Sequence, residues 1–220
     1  MDDGHGNTSD PVAQFLAHCH TRSFAPRANI IRQGDPAGEL YFIISGTVTV
    51  VLEDDKGHEI VLAYLNEGEF FGELGLFNED HSRTALVRAK TDCEIGQISY
   101  QKLRGLPDLY ADLIVAMTSQ LARRLRDTNR KLGDLAFMDV YGRVARTLLD
   151  LCDQPDALTH PHGMQVRITR QELARLVGCS REMVGKVVKD MEESNHIEVE
   201  GKNIVVLGVR PGETSVDLSR

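Results

Sequence analysis

The sequence predicts an α+β chain in three parts: an N-terminal antiparallel β-roll, introduced by a helix, over residues 1–107; a long helix over 108–138; and a winged helix-turn-helix over 139–210. Three observations carry this. Residues 29–99 hold short apolar or alternating runs broken by Gly, Asp and Asn, the pattern of antiparallel strands. After Pro107 the apolar period changes from two to about 3.6. Finally, Thr169 and Ser180 each open a short amphipathic segment, with Gly178 between them.

In the first part, residues 40–45, 47–53, 60–65 and 85–89 are the clearest strands. Asp54-Asp55-Lys56-Gly57 joins the second to the third as a hairpin turn, with Gly57 supplying positive φ. Many short strands at this spacing favour a closed roll or barrel, although a sandwich shares the pattern. In the second part, Met117, Leu121, Leu125, Thr128, Leu132 and Leu135 trace one stripe, four, four, three, four and three residues apart. A helix so much longer than the globular mean of about 11–12 residues favours a two-helix coiled coil in a homodimer; a helix lying across its own β-domain is the other arrangement.

The helical pattern breaks near Asp139, and a second helix is expected over residues 140–152. The Pro- and Gly-containing stretch 154–163 reads as a surface loop. Thr169-Arg170-Gln171-Glu172 is a capping box that starts a helix at Arg170, with Leu173, Ala174, Leu176 and Val177 as its buried face. Ser180 caps a second helix with Val184, Val187, Val188 and Met191 inside. Two β-branched runs around Gly201-Lys202 form a wing, and the polar tail 211–220 is expected to be mobile.

A net charge of −8 argues against a protein that coats nucleic acid or membrane by charge alone. Residues 167–189 nevertheless hold six basic and two acidic side chains, a local basic face suited to phosphate. The four cysteines form no C-x-x-C pair, and no signal peptide or apolar run long enough to span a bilayer is evident, so a cytoplasmic protein is expected. His18-Cys19-His20 reads either as a metal cluster or as a helix end with a buried cysteine; no metal site is expected, because zinc needs four convergent ligands. No nucleophile–base pair or phosphate-hydrolysing loop points to an enzyme.

Phe71-Gly72-Glu73-Leu74-Gly75-Leu76-Phe77, the capping box at Thr169 and the run Val177-Gly178-Cys179-Ser180-Arg181-Glu182-Met183-Val184-Gly185 together resemble the cyclic AMP receptor protein family of bacterial transcription regulators. So do the runs 135–140, 154–161 and 205–210, and the likeness extends over residues 13–210. The resemblance implies a cyclic AMP site in the β-roll, where Arg83 and Thr84 meet the phosphate, with backbone N–H groups near Gly72 and Leu74. Glu73 would accept the ribose 2′-OH, while Thr128 of one subunit and Asn129 of the other would meet the purine, with Arg124 one turn earlier. Ligand at this dimer helix would then re-aim the DNA domains.

For DNA, the resemblance implies an interface of Thr169, Arg170, Gln171, Ser180, Arg181, Glu182, Lys186 and Lys202 on palindromic TGTGA-like sites, a docking mode established partly on this family. Arg181 and Lys186 would read guanine and Glu182 cytosine. RNA polymerase would be touched by Ala157, Thr159, His160 and Gly163, and by a basic patch of His20, Arg22 and Lys102. Three positions depart from the family pattern: Asn129 replaces a hydroxyl residue, Ala63 a serine and Lys186 an arginine. Two other readings stand beside this one, a cyclic-nucleotide-binding regulatory subunit of an enzyme, and a DNA regulator that senses cyclic di-GMP, haem or redox state.

Overall fold

The computed structural model describes residues 11–77 and 82–211. The expected tail beyond residue 211 lies outside the described residues. The chain divides into two compact units, Met1–Asp127 and Thr128–Arg220.

The first unit runs α1 (Pro11–Ala17), β1 (His20–Phe24), β2 (Asn29–Ile31), β3 (Glu39–Ser45), β4 (Thr47–Glu53), β5 (Glu59–Asn66), β6 (Phe70–Phe71), α2 (Leu74–Phe77), β7 (Leu86–Ala89), β8 (Cys93–Ser99) and α3 (Tyr100–Arg104). Its strands form two antiparallel four-stranded sheets, ordered β1-β8-β3-β6 and β2-β7-β4-β5. Strand β3 shows why its sequence is continuously apolar. Tyr41 and Ile43 enter the core between the sheets, with Val48, Leu65, Phe71 and Val87. Leu40 and Phe42 point the other way, into a second core with Phe15, Leu103, Leu113 and Met117 from the helices. The predicted turn at Gly57 forms, with φ of 79°. The Asp54 carboxylate accepts backbone N–H groups from Lys56 at 2.9 Å and His58 at 2.8 Å.

Helix α4 (Pro107–Phe137) continues from the first unit into the second. The expected stripe divides here. Met117 is 1% exposed in the β-roll core, whereas Leu125, Leu132 and Leu135 are 62%, 65% and 47% exposed. The cause is geometric: two successive four-residue steps carry Leu125 about 80° round the helix from Met117, while the alternating fours and threes that follow stay on one side.

In the second unit Asp139 takes an extended conformation and caps α5 (Val140–Cys152), accepting the Gly142 N–H at 2.8 Å, which is why the pattern breaks there. Arg130 grips Asp150 with two bonds of 2.9 and 3.1 Å, and Arg146 lies 3.3 Å from Asp134, so the end of α4 is fastened to α5. The segment 154–163 is more ordered than a loop: β9 (Leu158–His160) pairs with β10 (Gly163–Arg167), and the sheet continues through β12 (Asn203–Leu207) to β11 (Ile197–Glu200). Pro161 sits in the tight turn between the paired strands, so prolines marked the turn and hid the strand beside it. Helices α6 (Arg170–Val177) and α7 (Arg181–Glu193) begin where the caps predicted. Gly178 ends α6 in the left-handed region, at φ 72°, allowing the sharp turn into α7. Leu173, Ala174, Val177, Val184, Val187, Val188 and Met191 are buried with Leu148 of α5; Leu176 is only half-buried.

Candidate functional site

Glu73 and Arg83 are the charged side chains buried among the described residues, at 6% and 7% exposure. A buried charge is costly unless it is held by hydrogen bonds, and Arg83 is. Its backbone is fixed first: the Arg83 N–H donates to the Asp35 carbonyl and the Gly34 N–H donates to the Arg83 carbonyl, both at 2.8 Å. The guanidinium then donates from Nη1 to the Gly72 carbonyl (3.0 Å) and the Tyr100 hydroxyl (3.1 Å), and from Nη2 to the Glu39 carbonyl (2.8 Å). It lies over the Tyr41 and Tyr100 rings, 5.4 and 6.0 Å from their centroids. Tyr41 is stacked on Phe71 and donates to Glu39 Oε2 at 2.9 Å; Tyr100 donates to the Gly72 carbonyl. Burial pushes the Tyr41 phenol up to about 12, helped by the Glu39 hydrogen bond, and burial also raises Tyr100, so both stay neutral. An aromatic box thus presents a rigid arginine fork with more N–H donors than its three acceptors use, which suits an oxyanion.

Gly72 makes this approach possible. Its φ is 76°, and a Cβ there would stand 2.7 Å from Arg83 Nη1 and 3.0 Å from the Tyr41 ring. Gly72→Ala is expected to cost about 1–2 kcal/mol in denaturant unfolding, from the left-handed backbone alone, and to shift the guanidinium. An unchanged unfolding midpoint would show that the backbone relaxes freely there.

The Glu73 carboxylate accepts from Arg124 Nη1 at 3.1 Å, and Arg124 also donates to the Phe70 carbonyl. Gln120 accepts the Phe70 N–H at 2.9 Å and donates to the Gly68 carbonyl at 3.2 Å; Arg123 pairs with Glu69 at 2.6 Å. The segment that carries Gly72 and Glu73 is therefore fastened to α4. Of the residues implied for the ligand, Gly72, Glu73, Arg83 and Arg124 come together in the first unit; Leu74 opens α2 and Thr84 is exposed beside Arg83. Arg124 meets Glu73 here. Thr128 and Asn129 are exposed on α4 and belong to the second unit. Glu39, Tyr41, Tyr100 and Gln120 were not singled out in the sequence, since each contacts a residue far along the chain and carries no motif of its own.

In the second unit Thr169 Oγ1 accepts the Glu172 N–H at 3.1 Å and Ser180 Oγ accepts the Met183 N–H at 3.2 Å, so both hydroxyls cap helices. Arg170, Gln171, Arg181, Glu182, Lys186 and Lys189 are exposed, as is Lys202 at the wing tip. Backbone hydrogen bonding at the start of α7, then the Ser180 hydroxyl, hold the Glu182 carboxyl below the usual range, leaving an anionic acceptor. Ala157, Thr159, His160 and Gly163 lie on or beside the β9–β10 hairpin. Gly163 also has a packing reason, because a Cβ would fall 1.9 Å from the Val206 carbonyl oxygen. His20 and Arg22 are exposed on β1, and the exposed Lys102 donates to the His18 carbonyl at 2.8 Å. Burial raises the Cys19 thiol to about 12. Among the described residues no cluster of three His, Cys, Asp or Glu side chains could hold a metal, and no helix is long and apolar enough to cross a membrane.

Fold and site together define a transcription regulator that joins a cyclic-nucleotide-binding domain to a helix-turn-helix DNA-binding domain. Residues 21–109 match the cyclic nucleotide-binding domain and residues 142–210 the Crp-like helix-turn-helix domain. The cAMP-activated global transcriptional regulator Vfr of Pseudomonas aeruginosa is 56% identical over 200 residues, 90% of this chain and 94% of the relative. The cAMP-activated global transcriptional regulator CRP of Salmonella typhimurium is 51% identical over 203 residues, 92% and 97% of the two chains. The solved structure of the c-di-GMP responsive global regulator CLP of Xanthomonas campestris matches with a TM-score of 0.85 and 46% identity, covering 90% of this chain and 98% of that one. The chain belongs to the CRP/FNR family of transcription regulators, and like these relatives it is a regulator and not an enzyme.

Proposed function

We propose that the protein is a cyclic-AMP-responsive, homodimeric regulator that works in the cytoplasm, binds palindromic TGTGA-like sites and contacts RNA polymerase. The observation that carries the ligand reading is the buried Arg83, held ready as a fork beside Glu73 at the positions where the family meets phosphate and ribose. The names of the relatives at 56% and 51% identity favour cyclic AMP. The likeness to CLP favours a second reading, cyclic di-GMP, which has two phosphates to satisfy. Calorimetric titration with cyclic AMP, cyclic GMP and cyclic di-GMP separates them: cyclic AMP is expected to bind tightest, and preferential binding of cyclic di-GMP would replace this reading.

The dimer reading is supported by Leu125, Leu132 and Leu135, large apolar side chains left exposed at heptad spacing on α4. In this arrangement the ligand's purine meets Thr128 and Asn129 from the two subunits, and its phosphate draws on the segment that Gln120, Arg123 and Arg124 tie to α4. The nucleotide then biases the DNA domains by binding two states unequally. The β9–β10 hairpin and the patch of His20, Arg22 and Lys102 serve as polymerase contacts.

Asn129 gives this reading a selectivity test. Its amide oxygen can accept from the adenine amino group, as a serine can, but its NH2 can also serve a guanine O6. Cyclic GMP is therefore expected to compete better against the parent than against Asn129→Ser. An unchanged ratio of the two affinities, with only dimer stability altered, would assign Asn129 to the helix seam.

A further inference from the structure

The geometry points to Glu39 as the side chain that sets how tightly the site holds an anionic ligand, by keeping a second negative charge beside the phosphate anchor. This rests on the reading of Arg83 as that anchor. Glu39 opens β3 and is half-buried. Its own carbonyl accepts Arg83 Nη2 at 2.8 Å, which brings its backbone against the guanidinium. The carboxylate itself is directed elsewhere: Oε2 accepts the Tyr41 hydroxyl at 2.9 Å and Oε1 accepts from Gln97 Nε2 at 3.4 Å.

Glu73, the buried carboxylate among the described residues, differs in kind. Glu73 is paired with Arg124, so its charge is largely matched within the site. Glu39 is held by neutral donors and stands one phenol away from the guanidinium: its carboxylate meets the Tyr41 hydroxyl, the Tyr41 ring centroid lies 5.4 Å from Arg83, and the field of the same charge helps to raise both phenols that flank Arg83. A phosphate brought to Arg83 must share one guanidinium with that field, and like charges in a partly buried site repel over several ångströms. Packing does not require the charge. Tyr41 needs an acceptor, which a neutral amide oxygen supplies, and the Gln97 amide can turn its own oxygen to meet the new NH2. Glu39 thus holds the affinity below what the arginine box could reach and sets the nucleotide concentration to which the regulator responds.

Glu39→Gln keeps the acceptor for Tyr41 and removes the charge. By calorimetry at low ionic strength the variant is expected to bind cyclic AMP about three- to tenfold more tightly than the parent, with the gain shrinking as salt is raised. Tyr41→Phe removes the hydroxyl and keeps the acid, and no gain is expected from it. Unchanged or weaker binding by Glu39→Gln, a gain that salt does not diminish, or an equal gain from Tyr41→Phe would overturn the inference. The same titrations run with cyclic GMP and cyclic di-GMP separate the two ideas. Every cyclic nucleotide carries the phosphodiester charge, so whichever one the parent binds must show the gain. A parent that binds none refutes the reading of Arg83, and this inference with it.

Discussion

Arg83→Leu is expected to abolish cyclic nucleotide binding, lowering the affinity by about 100-fold or more while the chain remains folded. Losing one partner of a desolvated, hydrogen-bonded charge pair costs roughly 2–5 kcal/mol, and among the described residues the box holds no other buried cation. The structure adds a second consequence. Leucine would take the guanidinium donor from the Glu39 carbonyl and leave the Gly72 carbonyl with the Tyr100 hydroxyl alone, so a loss of about 1–3 kcal/mol in stability should accompany the loss of ligand. Arg83→Lys distinguishes the two effects: it restores the charge but not the fork, and should recover stability more than affinity. Parent-like affinity of Arg83→Leu in calorimetry would remove this residue from the site.

The second large effect is expected on DNA. Arg181 is exposed at the first turn of α7 and takes no part in packing its inner face, so Arg181→Ala should leave the melting temperature unchanged. Its cost should fall on recognition: about 1–3 kcal/mol at one base pair, as for a bidentate contact to guanine, with relaxed preference at that position only. Binding assays on a set of single-base variants of the half-site test this. A uniform loss across all sequences would make Arg181 a phosphate contact instead.

Much of this architecture was legible in the sequence because its signals are local. Thr169, Gly178 and Ser180 specify two caps and a left-handed turn within twelve positions, and the helices begin at the residues they imply. The hairpin at Gly57 and the wing at Gly201 are local in the same sense. What the sequence concealed depends on tertiary neighbours. Met117 and Leu125 are both apolar and both fit a helical stripe, and the turn of the helix between them matters only because Met117 faces the β-roll core and Leu125 does not. Strand β9 pairs with β10 across a proline-containing turn that carries the composition of a loop. In the site, Arg83 and Glu73 were visible as motif residues. The box around them was not, because Glu39, Tyr41, Tyr100 and Gln120 come from three distant elements and each looks like an ordinary strand or helix residue.

A nucleotide bound in the β-roll is expected to control how two helix-turn-helix units grip DNA. Fluorescence anisotropy of a labelled duplex bearing two inverted TGTGA half-sites about one helical turn apart, titrated with the protein at constant salt with and without cyclic AMP, tests it most directly. With cyclic AMP the affinity is expected to be at least about fivefold higher, within the usual range of coupling between two sites, and that gain is expected to be lost when one half-site is scrambled or when Arg83→Leu replaces the parent. Equal affinity for the palindrome with and without cyclic AMP would contradict it.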